Sequence, residues 1–180
     1  MSEVVLVRYG AIPEVGEFSC TLPERPVRNQ AVVVESHRGL ELGTVLEAVR
    51  RTAVAPKHSD DASAEKAELS PVVRVATAGD HAQHQVLRRE AEGAYSEWQS
   101  RITRDNLELE LIDLEWTLDR RKLVLYVLGG RSADTTKLAL LAAAEGLTAI
   151  DVQPVAADGV VPIPSGGGGG CGSGGCGCHE

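Results

Sequence analysis

Between Leu107 and Leu128 apolar and polar residues alternate, the alternation changes phase once, and the chain then turns apolar at nearly every position. Leu107, Leu109 and Leu111 alternate with Glu108 and Glu110. From there the apolar set becomes Ile112, Leu114, Trp116 and Leu118, with Asp113, Glu115 and Thr117 between them. Successive strand side chains point to opposite faces, so a phase change needs one extra residue; the pattern predicts a β-bulge near Leu111–Ile112. A polar turn at Asp119, Arg120 and Arg121 leads into a second strand, Lys122 to Leu128. Leu123, Leu125 and Val127 occupy one face of that strand and Val124, Tyr126 and Leu128 the other. A strand apolar on both faces is central and covered on both sides. Helices are expected on one side. The other side calls for a second domain or a second copy of the chain, which makes a homo-oligomer one of the alternatives.

The chain before this hairpin reads as short strands. EVVLVRY (3–9) is followed by a turn at Pro13 and Gly16 and by VGEFSC (15–20). AVVVESHRGLELGTVLEAV (31–49) reads as two strands around a turn at His37, Arg38 and Gly39. Four short strands punctuated by Gly and Pro predict a small SH3- or barrel-like sheet. Residues 50–71 are polar, with no apolar period, and read as a linker or long loop. VVRVAT (72–77) is a strand. Thr77 and Asp80 have capping-box spacing, ahead of a helix from about Asp80 to Arg104 with one buried stripe of Leu87, Ala91, Ala94, Trp98 and Ile102. Ser132 can cap a second helix over about 133–145 with Leu138, Leu141 and Ala142 on its buried face. Gly146 can end that helix, and TAIDVQPV (148–155) is the last strand.

The order from 72 to 155 is β-α-β-β-α-β, which predicts a ferredoxin-like sandwich: a four-stranded antiparallel sheet with both helices on one face. The expected class is α+β. A small N-terminal β domain (1–49) is followed by the linker (50–71), the sandwich (72–155) and a disordered Gly/Cys-rich tail (156–180). A run such as GGGGGCGSGGCGCHE cannot bury enough surface to offset its ordering entropy.

Composition is globular, at 43% hydrophobic residues. The net charge of -8 argues against broad nucleic-acid binding, though not against a local basic patch. The sequence has no leader pattern and no apolar run of membrane-spanning length, so a cytoplasmic protein without membrane insertion is expected. Three of the four cysteines lie in the last ten residues, which is not the spread of a disulfide framework.

Cys171, Cys176 and Cys178 are the main chemical signal. Thiolates on a glycine-rich chain suit an iron–sulfur cluster or a soft metal such as zinc. The spacing C-x4-C-x-C is neither a zinc ribbon nor a standard ferredoxin run. A closed site takes four ligands, so His179, Cys20, a small molecule or a partner's residue would complete it. The alternative is a flexible tail with idle thiols. Cys20 ends an apolar strand and reads as a small buried thiol. His81 and His84 open a helix and read as solvated, with a metal role as the alternative. Arg120, Arg121 and Lys122 read as a solvated turn rather than a phosphate contact. Glu108, Glu110, Asp113 and Glu115 read as the solvated faces of a strand. No nucleotide loop and no supported nucleophile–base arrangement is present, so there is no positive case for an enzyme.

Three stretches and the tail resemble the polymerase-suppressor-protein C-terminal-domain family, the YaaT/RicT-like proteins. VVVESHRGLELGTVL (32–46) resembles V-V-V-E-x-x-R-G-x-E-x-G-x-V. PVVRVATAGD (71–80) resembles P-V-x-R-I-A-T-x-x-D, and LELELIDLEWTLDRRKLVLYV (107–127) resembles L-x-M-K-L-V-D-V-E-Y-T-F-D-x-x-K-x-x-F-Y-F. The tail resembles C-G-x-x-x-C-C, with the cysteine pair split by Gly177. The family's arginine-rich segment after the second helix is absent: GLTAIDVQPVAAD (146–158) keeps its strand pattern and Gln153 but has no Arg. The resemblance implies a non-enzymatic regulatory or adaptor subunit in a small multi-protein complex that influences RNA processing, with a cysteine-bound iron–sulfur cluster. A metal- or cluster-handling protein is the competing reading, and a small thiol enzyme the third.

Overall fold

The computed structural model describes residues 3–49, 69–129, 133–146, 149–157 and 159–161. The first sheet is built from β1 (Glu3–Tyr9), β2 (Glu14–Cys20), β3 (Ala31–Glu35), β4 (Leu40–Val49) and β5 (Val72–Val75), in the order β2-β1-β4-β3-β5. Its inner face holds Val5, Val7, Tyr9, Phe18, Cys20, Val32, Val34, Val45 and Val72. The two edges meet: Ser19 on β2 bridges to Pro71, and its amide donates to the Ser70 carbonyl at 2.9 Å. The expected barrel-like sheet is therefore present, with a fifth strand closing it.

The second sheet has the order β6-β7-β8-β9, from β6 (Glu110–Trp116), β7 (Leu123–Leu128), β8 (Ile150–Ala156) and β9 (Gly159–Val160). Two helices accompany it, α1 (Ala78–Arg104) and α2 (Ala133–Ala144). The register of β6 against β7 shifts between Leu111 and Asp113, as the phase change predicts. The bulge turns Ile112 outward, to 38% exposure, so that Leu111 and Leu114 both enter the core.

The topology departs from the ferredoxin-like arrangement. That fold needs the 72–77 strand between β7 and β8, in a sheet that is antiparallel throughout. Here β5 pairs with β3 in the barrel, and β8 pairs directly with β7 in parallel. The cause lies in competing edges. β5 is four residues long, and only Val72 of it is buried. It is too short and too polar for a central position, but it covers the open β3 edge of the barrel. With β5 gone, α2 serves as the crossover that a parallel β7–β8 pair requires. The ordered chain also continues past Val155 into the β8–β9 hairpin. Of the proposed 50–71 loop, residues 50–68 lie outside the described residues, as do residues 162–180 of the tail.

β7 is central and covered on both faces, as expected. Leu123, Leu125 and Val127 pack with Ala91, Trp98 and Ile102 of α1 and with Leu138 and Ala142 of α2. Val124 and Tyr126 pack with Val155 and with Ala11, Ile12 and Val160, so the β1–β2 turn of the barrel covers the second face. Helix α1 starts with the predicted capping box: Asp80 N–H donates to the Thr77 hydroxyl, and the Asp80 carboxylate accepts from the Thr77 amide. Lower down, Leu87 packs with Val33 of the barrel and Leu118 of the second sheet. Gly146 ends α2's turn at a φ of +70°, the left-handed region where glycine is favoured.

Candidate functional site

The β3–β4 turn carries Ser36, Arg38 and Gly39, and the Ser36 amide donates to the Gly39 carbonyl at 2.8 Å. Ser36 also accepts from the Arg38 amide through its hydroxyl. This fixes Arg38 so that its side chain runs inward between the two sheets, where it is fully buried. Its Nη1 lies 2.8 Å from Glu14 and 3.0 Å from the Tyr126 hydroxyl, and its Nη2 lies 3.0 Å from Glu41. The guanidinium stacks over Tyr9 and Tyr126, at 5.3 and 5.8 Å from the ring centres. The Tyr126 hydroxyl donates onward to Glu115 Oε2 at 2.9 Å, and the same oxygen accepts the Ala11 amide at 2.7 Å. Gly10 makes room for this approach: a Cβ there would sit 3.1 Å from Arg38 Nη2 and 3.2 Å from the Tyr126 hydroxyl.

The electrostatics follow from burial and from the count of charges. Glu41, 3% exposed, has its pKa raised to about 7. Loss of water is the main cause, with Arg38 and the Ser36 hydroxyl opposing it and Glu115 and Glu14 adding to it. Burial works against the charge on Arg38, but Glu41, Tyr126, Glu14 and Glu115 outweigh it, so the guanidinium is held more firmly protonated than usual. Burial, then Glu14, pushes Tyr9 up to about 12. Burial, then Glu115, raises Tyr126 as well. Both phenols are thus neutral at physiological pH. The arrangement clamps the barrel to the second sheet, with Arg38 and Glu41 buried at its centre.

A second polar contact between elements joins α1 to the bulged strand. Arg88 Nη1 reaches both carboxylate oxygens of Asp113 at 3.0 Å and the Leu114 carbonyl at 3.1 Å. Asp113 and Glu115 are therefore partners in packing, which corrects their assignment as a solvated face; Glu108 and Glu110 are exposed as expected. Asp113 and Glu115 share their face with Val124 and Tyr126, which is the face turned to the barrel.

The tail ligands Cys171, Cys176, Cys178 and His179 lie outside the described residues. Cys20 is a free buried thiol within the barrel core, in keeping with the small-thiol reading. His81 is exposed and His84 half-buried in the first turns of α1. Among the described residues no group of three or more His, Cys, Asp or Glu is placed to hold a metal. At the hairpin tip Arg120 pairs with Glu90 at 2.8 Å and lies over the Trp116 ring, and Lys122 is 3.6 Å from Asp151. No helix among the described residues is long and apolar enough to cross a membrane.

Sequence reasoning missed the roles of Arg38, Glu41, Glu14 and Tyr126. One signal was available. Glu41 has the strand parity of Gly43 and Val45, which is the parity of the barrel interior, whereas Leu40 and Leu42 face α1.

Residues 70–140 match the family model described as the PSP1 C-terminal conserved region. Over 110 residues the chain is 29% identical to the stage 0 sporulation protein YaaT of Bacillus subtilis (strain 168), a match covering 61% of this chain and 37% of that protein. The chain thus corresponds to well under half of that relative's length. No solved structure matches it.

Proposed function

Because residues 70–140 match the PSP1 C-terminal conserved region and the chain is similar to YaaT, we propose that this chain is a non-enzymatic regulatory subunit that works by assembling with protein partners. The observation that carries this reading is the Arg38 cluster. The most strongly perturbed groups of the described residues are used up in joining two sheets, and Arg38 at their centre is sealed from solvent. Perturbed groups mark catalytic sites when they face a cleft; here they face one another. The complex is one that influences RNA processing.

The finer part of the proposal concerns the tail. Cys171, Cys176 and Cys178 hold an iron–sulfur cluster as thiolates, with His179 or a partner's residue completing the ligand set. Three soft thiolates and an imidazole also suit zinc, which is the second reading. The cluster or metal, when bound, would crosslink this glycine-rich segment, and the glycines would let the backbone close around the sulfurs.

The test is anaerobic purification of the full chain and of a triple variant with Cys171, Cys176 and Cys178 each replaced by Ser. Iron, sulfide and zinc are measured in each, alone and with co-purifying partners. The wild type should carry cluster or metal that the triple variant lacks, and more of it in complex. Equal content in the two proteins would sink the ligand assignment. Acidification should release the bound metal, because protons compete for the thiolates.

A further inference from the structure

The joint between barrel and second sheet holds three carboxylates, Glu14, Glu41 and Glu115, around the single guanidinium of Arg38. With all three ionised, negative charge exceeds positive by two in a place that water hardly reaches. Such an excess is relieved by taking up a proton or by admitting water. Of the three, Glu41 is the most buried, at 3%, while the Glu14 side chain keeps 21% exposure. Glu115 already accepts hydrogen bonds from the Ala11 amide and the Tyr126 hydroxyl. Glu41 is therefore the acceptor of the proton.

We propose that this joint is a proton-sensitive coupling between the two sheets, in which Glu41 takes up and releases the proton. Arg38 is shared: Glu14 and Glu41 hold it from the barrel, Tyr126 and Glu115 from the second sheet. With Glu41 neutral, one carboxylate remains on each side, the excess of negative charge falls to one, and Arg38 links the two sheets. With Glu41 ionised, the surplus charge is relieved when the sheets part and water enters. The other titratable groups that face Glu41 are Arg38, Glu14, Glu115, Tyr126 and Tyr9. Both phenols are held above their ordinary range and stay neutral throughout.

The sign follows. The folded pKa of Glu41, about 7, lies above its ordinary value of 4.5, so the closed joint binds the proton more tightly than the open one. Closure is favoured at the acid end of this window and lost progressively as pH rises toward the folded pKa. From pH 6 to pH 8 the closed-to-open ratio should fall about tenfold.

Amide exchange on the full chain reads this directly, after correction for intrinsic rates. The Ala11 amide, bonded to Glu115, and the Leu118 amide, bonded to the Leu40 carbonyl, report the joint; the Val45 amide, bonded to Gln30, reports the barrel alone. Protection at Ala11 and Leu118 should lie below that at Val45 and fall about tenfold between pH 6 and 8, and Glu41→Gln should abolish the fall. Flat protection in the wild type, a slope that survives Glu41→Gln, or equal protection at all three amides would overturn the proposal. Should Glu41→Gln fail to fold, a carbon-13 titration of the wild-type Glu41 carboxyl decides. A midpoint near neutrality supports the coupling, and one in the ordinary carboxylate range overturns it.

Discussion

Arg38 donates through Nη1 to the Tyr126 hydroxyl at 3.0 Å, although 88 positions separate them in the chain. This bond ties the β3–β4 turn to the central strand of the other sheet. Arg38→Ala would leave Glu41, Glu14 and Tyr126 buried without their shared cation. The expected loss is about 3–5 kcal/mol, the range for removing one partner of a buried ion pair. Arg38→Lys should also fail, since a single ammonium cannot hold the three acceptors from one planar fork. Urea denaturation of both variants measures the effect. A loss below ~1 kcal/mol in Arg38→Ala would mean the cluster does not hold the sheets together.

Trp98 packs in the main core between α1 and the second sheet at 7% exposure. Trp98→Ala should cost about 3–5 kcal/mol, as large-to-small core changes do. Thermal or urea unfolding followed by circular dichroism checks it.

Gly43 and Gly93 should respond oppositely to alanine. A Cβ at Gly43 would overlap Val7 Cγ1 and stand 3.1 Å from the Arg8 carbonyl, where β4 pairs with β1. Gly43→Ala should destabilise by about 1–3 kcal/mol through overpacking. At Gly93, on α1, a Cβ meets nothing within 4 Å. Gly93→Ala should stabilise by about 0.5–1 kcal/mol by restricting the unfolded chain and favouring the helix. Paired denaturation midpoints give both signs in one experiment.

Asp80 accepts from the Thr77 amide and hydroxyl and from Arg74 at 2.5 Å. The Thr77 backbone bond, aided by the Thr77 hydroxyl and Arg74, holds its carboxyl below the usual range. A depressed folded pKa contributes stability above the unfolded pKa, and that contribution is lost as pH falls through the folded value. Asp80→Ala should therefore cost about 1 kcal/mol at neutral pH, the size of a lost helix cap. The gap to wild type should close in acid. Thermal midpoints of the two proteins from pH 7 downward test this, and a gap that stays constant would contradict it.

The bulge, the helix stripes and the cap were legible because each is set within a few residues. The phase change at Leu111–Ile112 demands an extra residue whatever surrounds it, and Thr77 with Asp80 satisfies α1's first amides locally. The two apolar faces of β7 likewise forced a cover on both sides. Which strand lay beside β7 was not fixed in this way. Pattern alone marks VVRV as a strand and does not say whether it joins the barrel edge at β3 or the slot beside β7, for which it is too short and too polar. Only the competition between those edges sent it to β3 and left β8 to pair in parallel.

The same distinction holds for the Arg38 cluster. The sequence by itself determined β1 to β8, the helices and the charges, since periodicity and capping act over one or two turns. It read Arg38 as a turn residue and Glu115 as solvated, because solvation is a property of what packs against a residue. Tertiary structure alone decided that the β3–β4 turn, β4, β2, β6 and β7 bring Arg38, Glu41, Glu14, Glu115 and Tyr126 together around a buried guanidinium. Burial there removes water from groups that would otherwise be ordinary surface charges, and that loss of water raises the Glu41 pKa.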